Sequence, residues 1–177
     1  MAGLGPAEAL VRAILGAARR AGLSLATAES CTGGMVAAAL TDVPGASEVF
    51  DRGFVTYSNA AKTQMLGVAP RTLADHGAVS EEVAREMAEG ALRHSQAGLA
   101  VSITGIAGPG GSEFKPEGRV CFGLARQGHP TRVETVEFGA PGRAEVRAAA
   151  RDHALRLLAL ALDAAVDRAQ DGEPAPG

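Results

Sequence analysis

Apolar and polar positions along the chain alternate between two periods. Short runs with β-like character are separated by longer runs in which apolar residues recur every three or four positions, and that alternation predicts an α/β fold. The first run, opening at Pro6, reads as an amphipathic helix, because proline is preorganised for a helix's first turn. Leu23 to Thr27 (LSLAT) is a strand candidate feeding a helix over CTGGMVAAAL, and the pair Pro44-Gly45 ends that unit. Phe50 to Ser58 is rich in β-formers, and a short helix around AAKTQML closes at Gly67. From Val79 to Gln96 the helix signature is strong. Ser80 stands as N-cap, Glu81 and Glu82 lie in the first turn, and Val83, Met87, Ala91 and Leu92 form the apolar stripe. LAVSIT then reads as a buried strand entering the glycine-rich segment GIAGPGG.

GRVCFGLAR and TRVETVEF, parted by Gly128 and Pro130, read as a hairpin, which makes the sheet mixed. A long helix from about Arg143 to Arg168 follows, with Val146, Ala150, Leu157, Leu158 and Ala161 on its apolar face. The sequence predicts one three-layer α/β domain over residues 1–168, with a mixed central β-sheet and helices on both faces. Residues 169–177, ending GEPAPG, are expected to be a disordered tail.

Composition narrows the functional classes. The chain has 177 residues, 46% of them hydrophobic and 21% charged, with a formal net charge of −3. That balance gives no electrostatic footprint for nucleic acid. No apolar run reaches bilayer-spanning length, and the first residues lack a signal-peptide pattern, so a cytoplasmic location away from membranes is expected. Two cysteines, Cys31 and Cys121, without CxxC spacing point to neither a disulfide scaffold nor structural zinc.

Chemistry concentrates at two strand-to-loop handovers, AESCTGG (28–34) and TGIAGPGG (104–111). Ligands of α/β sheets bind beyond the carboxyl ends of strands, which makes the two segments candidates for one site. Gly33 and Gly34 allow a turn and a close ligand approach, with the following helix N-terminus as a source of oxyanion donors. Ser30 beside those donors is a candidate nucleophile. The competing reading is that Ser30 or Thr32 caps the helix, and Cys31 is a rival nucleophile that no histidine motif activates. His76, His94, His129 and His153 fall in a loop, a helix end, a turn and mid-helix.

A serine nucleophile needs a base. Of 17 basic residues only Lys62 and Lys115 are lysine, and lysine, unlike arginine, can lose its proton. Lys62 follows Tyr57, the sole tyrosine, by five positions, so the two together form a candidate base system. TGIAGPGG matches neither GxxxxGK[ST] nor GxGxxG, leaving a cradle for a smaller polar ligand. Lys115 reads as a solvated loop charge. Arg143, Arg147 and Arg151 form a stripe at i, i+4 and i+8. Because positive charge opposes the dipole at a helix start, Arg143 invites a ligand anion, while Arg147 and Arg151 read as solvated or ion-paired.

Read together, AESCTGG, GFVTYSNAAK, HGAVSEEVAREMAEGAL, TGIAGPGG with KPEG, and FGAPGRAEVR resemble the CinA C-terminal domain family, also known as PncC, the nicotinamide mononucleotide deamidases. The resemblance covers about residues 8–163, with FGAPGR standing where the family has a shorter F-x-GDR. It implies hydrolysis of the carboxamide of nicotinamide mononucleotide to nicotinic acid mononucleotide and ammonia, with no metal or other cofactor, by a domain that self-associates as a homo-oligomer. By motif it implies Ser30 as nucleophile, Tyr57 and Lys62 as its partners, Thr104 with Gly105 at the substrate loop, and Arg143 on the phosphate. Thr32, Gly33 and Gly34 would supply oxyanion-side support. Many relatives carry a further N-terminal domain resembling molybdopterin-binding proteins, which this chain is expected to lack. Two rival readings remain, a nucleotide-binding regulatory module and a hydrolase of another small amide.

Overall fold

The computed structural model describes residues 6–112 and 114–170. In chain order the elements are α1 (Pro6–Ala21), β1 (Leu25–Glu29), α2 (Met35–Thr41), a 3₁₀ turn (Ala46–Glu48), β2 (Phe50–Val55), α3 (Asn59–Leu66), α4 (Pro70–His76), α5 (Glu81–Arg93), β3 (Leu99–Gly105), β4 (Arg119–Arg126), β5 (Arg132–Glu137) and α6 (Arg143–Gln170). The strands form one sheet in the order β2-β1-β3-β4-β5. β1 pairs in parallel with both β2 and β3, whereas β4 runs antiparallel to β3 and to β5. This is the mixed sheet anticipated from the hairpin pattern.

Helices cover both faces, and the strands' period of two divides the core accordingly. Leu25, Val101 and Ile103 meet Ile14, Leu15, Leu155 and Leu158 on the side of α1, α2 and α6. Ala26, Ala28 and Ala100 meet Leu66, Val83, Met87 and Ala91 on the other. All five β1 residues are buried, as expected of a central parallel strand covered on both faces.

Small residues let α5 lie close to its neighbours. A Cβ on Gly90 would overlap the Leu66 carbonyl oxygen, a backbone atom that cannot swing aside. Gly90→Ala is expected to destabilise the fold by about 3 kcal/mol through overpacking. A lower urea midpoint with unchanged slope checks this; an unchanged midpoint would mean that α3 and α5 separate freely.

Three sequence expectations need correction. β1 starts at Leu25 rather than Leu23, because Leu23 and Ser24 belong to the connection, where the Ser24 carbonyl accepts from Gly98 N and Leu99 N at 2.9 and 3.1 Å. α4 has no apolar stripe and was not anticipated. Its start is fixed from outside by Glu86, which accepts from Ala69 N at 2.7 Å and Thr72 Oγ1 at 2.5 Å; His76 therefore ends a helix rather than sitting in a loop. α6 continues to Gln170, so residues 169 and 170 are helical, and residues 171–177 of the expected tail lie outside the described residues.

Candidate active site

The carboxyl ends of β1, β2 and β3 share one edge of the sheet, since the three strands are mutually parallel. The chain leaves β1 at Glu29, and Ser30 N donates to Ile103 O of β3 at 2.9 Å while Thr56 N donates to Glu29 O at 2.9 Å. These bonds bring the loops after the three strands together. Gly33 and Gly34 have φ of 59° and 103°, left-handed values that glycine adopts without penalty.

Neither Ser30 nor Thr32 caps α2. Its N-cap is Gly34, which has no side chain to offer, and the fully buried Glu29 carboxylate does the work instead. It accepts from Val36 N at 2.9 Å and Ala37 N at 3.0 Å, placing negative charge at the positive end of the helix. Ser30 Oγ is thereby free for another partner. Gly33 N donates to Ser30 O and Met35 N to Thr32 O, so these two amides are used within the turn. Among the described residues the amides of Thr32 and Gly34 have no protein acceptor, and the buried Thr32 Oγ1 has no partner.

The partner of Ser30 comes from α3. Ser58 caps that helix by accepting from Ala61 N at 3.0 Å, and Gly67 closes it in the left-handed conformation. One turn in, Lys62 is only 1% exposed. Its Nζ lies 3.0 Å from Ser30 Oγ and 3.1 Å from Thr56 O. Burial holds the ammonium pKa below the ordinary lysine value, against a smaller opposing influence of Cys31. An amine depressed in this way can be neutral, donate one hydrogen to Thr56 O and turn its lone pair toward the serine hydroxyl.

Cys31 is 5% exposed, and burial pushes its thiol pKa up to about 11. At neutral pH it is protonated and a poor nucleophile. Cys31→Ala is expected to keep turnover within about threefold of the parent, apart from a small packing loss. Inactivation by this substitution would make the thiol a participant.

Around this pair stands a rim of further contacts. Tyr57 is 60% exposed, and its hydroxyl accepts from Arg143 Nη2 at 2.7 Å, while Arg143 Nη1 donates to Gly108 O at 2.7 Å. Arg143 thus ties the loop after β2 to the glycine loop after β3, which accounts for its place at a helix start. Thr104 Oγ1 donates to Ala78 O at 2.7 Å. Gly105 faces β4, where an added Cβ would come within 2.6 Å of Val120 Cγ2. The structure therefore brings Ser30, Lys62, Thr32 and Gly34 together, with Tyr57 and Arg143 joined to each other at the edge.

Four side chains gain roles that their sequence context hid. Besides Glu29, Arg147 Nε donates to Cys31 O at 3.0 Å and its Nη2 to Thr32 O at 3.3 Å, so it grips the nucleophile turn rather than facing water. Lys115 is no solvated charge, because its Nζ donates to the carbonyls of His76 and Val79. Glu117 accepts from Gly110 N at 2.6 Å and braces the glycine loop. For Glu29 a signal was present: a lone carboxylate ending an apolar strand, just ahead of a helix with no capping side chain.

Residues 7–162 match the CinA C-terminal domain family. The chain belongs to that family. Among solved structures, CihA of Agrobacterium tumefaciens, a competence/damage inducible protein, superposes with a TM-score of 0.86 at 46% identity, covering 92% of this chain and 99% of that one. A CinA-like protein of Chlorobium phaeobacteroides is 54% identical over 145 residues, 80% of this chain and 34% of that protein. The chain thus spans about a third of that longer relative. The Escherichia coli protein named nicotinamide-nucleotide amidohydrolase PncC is 63% identical over 105 residues, 59% of this chain and 64% of its own length.

Proposed function

We propose that this CinA-family chain is a serine amidohydrolase that converts nicotinamide mononucleotide to nicotinic acid mononucleotide and ammonia. The observation that carries this reading is the buried Lys62 amine 3.0 Å from Ser30 Oγ. A pure binding module has no use for a hydroxyl paired with a desolvated amine, since burying that amine costs stability. The name of the E. coli relative supports the substrate class.

Ser30 Oγ attacks the carboxamide carbon as neutral Lys62 takes the hydroxyl proton, forming the C–O bond and a tetrahedral oxyanion. The amides of Thr32 and Gly34 receive the oxyanion; each such donor contributes roughly 3 kcal/mol of barrier lowering. The C–N bond then breaks as Lys62 returns the proton to the departing nitrogen, releasing ammonia and leaving an acyl ester on Ser30. Water, deprotonated by Lys62, cleaves the ester and restores the serine. Tyr57 forms a wall of the nucleotide pocket, its hydroxyl accepting from Arg143 with its own proton still free to donate. Arg143 has further donors for the substrate phosphate, and Thr104, Gly105 and Gly33 shape the loops around the nucleotide.

Ammonia release from nicotinamide mononucleotide, compared with nicotinamide riboside, tests the reading. Turnover of the mononucleotide is expected, with kcat/KM for the riboside lower by about 100-fold, the worth of a charge-assisted phosphate grip. Arg143→Met should raise KM for the mononucleotide and nearly erase the difference between the two substrates. No ammonia from either compound would overturn the assignment.

A further inference from the structure

A second basic cluster lies at the far end of the sheet. β3 begins there with Leu99, whereas Ile103, which holds Ser30, lies four residues along the strand, about 13 Å away at strand rise. Between the β4–β5 turn and the last turns of α6 is a cavity of about 230 Å³, lined by Arg126, His129, Arg132 and Arg168 over a floor that includes Leu99 and Leu124. Among the described residues no Asp or Glu lines it. None of the three arginines forms an ion pair among the described residues. Arg126 Nη1 is shielded from solvent and has no hydrogen-bond partner among the described residues.

We infer that this cleft is a binding site for a phosphate oxyanion, separate from the Ser30 site. A guanidinium nitrogen buried without an acceptor is costly, and like charges around one cavity repel. Burial and the neighbouring Arg168 lower the Arg126 pKa, which is the same stress seen from its proton. Arg168 has a partial explanation, since a cation complements the carboxyl end of a helix, and Arg132 is an exposed charge on the edge strand β5; Arg126, on the inner strand β4, has none. An oxyanion in the cleft neutralises the guanidinium groups around it and relieves their mutual repulsion, and their planar forks suit phosphate. The apolar floor admits the carbon body of a small phosphomonoester, so the ligand is either free phosphate or such an ester.

Calorimetric titration with inorganic phosphate and with glycerol 3-phosphate, at matched ionic strength, tests the inference. Arg143→Met serves as the parent, which removes phosphate binding at the Ser30 site from the measurement. Saturable binding is expected there, weakened about tenfold by adding Arg126→Met and by a smaller factor with the exposed Arg168→Gln. Without phosphate, Arg126→Met should melt no lower than its parent, because it removes an unsatisfied buried donor; a purely structural arginine would show the reverse. Tighter binding of the ester supports an organic ligand and equal binding the free ion. If Arg126→Met fails to fold, Arg168→Gln carries the test. Absence of saturable binding, or binding unchanged in both variants, would overturn the site.

Discussion

Ser30→Ala is expected to leave a folded protein whose ammonia release from nicotinamide mononucleotide falls by about 10⁴-fold, the scale seen when a catalytic nucleophile is removed. Ser30 is 8% exposed, and among the described residues its hydroxyl has Lys62 as its one side-chain partner, so truncation deletes little packing. Its backbone amide, bonded to Ile103 O, is untouched and keeps the turn in place. The melting temperature should therefore stay close to that of the parent. Mass spectrometry after rapid quenching should find the acyl group on the peptide containing Ser30 in the parent and nowhere in the variant. Residual turnover above about one part in a hundred would place the nucleophile elsewhere, since oxyanion donors and binding alone leave far less.

Lys62→Met separates chemistry from stability in opposite directions. Methionine has nearly the length of the lysine stem and no charge to desolvate, so it fits a slot that is 1% exposed. Turnover is expected to fall by about 10³-fold for want of the base. Stability is expected to rise, because the folded parent confines an amine whose pKa burial has lowered. The folded value lies below the unfolded one, so between them the unfolded chain binds more protons, and parent stability increases with pH across that window. Below the folded value the whole penalty is present; above the ordinary lysine range it vanishes. The advantage of Lys62→Met should thus be greatest at acid pH and shrink toward alkaline pH. Parent turnover should climb with pH through the same ionisation. A variant no more stable than the parent at any pH would mean that Lys62 is buried without cost, and the case for a neutral amine would fall.

Local chemistry explains which parts of this arrangement could be read from sequence. Gly67 and Ser80 announce helix ends through their own conformations and side chains, and the elements they bound were anticipated, whereas Ser58, read as the end of a strand, caps α3. α4 carries no such announcement, because its acceptor is Glu86 on another helix. The β1 boundary was missed for a related reason, since the connection before it is held by residues that follow in sequence some 70 positions later. Within the site, Ser30 and Lys62 stood out as a hydroxyl beside glycines and a rare lysine, but the burial that depresses the amine is a property of the assembled core. Arg143, Arg147 and Arg151 look alike as a helical stripe. Only the fold gives Arg143 to Tyr57 and Arg147 to the Cys31 carbonyl, whereas Arg151 pairs with its sequence neighbour Asp152, as expected.

The hydrogen bonds that close the site join residues 32, 86 and 116 positions apart. Each of them must overcome the entropy of closing a long loop, a cost that contacts between near neighbours largely avoid. The β4–β5 hairpin and the individual helices draw on near neighbours and can precede them. A chain with its helices and the β4–β5 hairpin but without these distant contacts lacks the Arg147 clamp and the Ser30–Lys62 pair. On the proposed reading, turnover would depend on all of these distant contacts at once, which makes it a stricter criterion of nativeness than a spectroscopic measure of helix content.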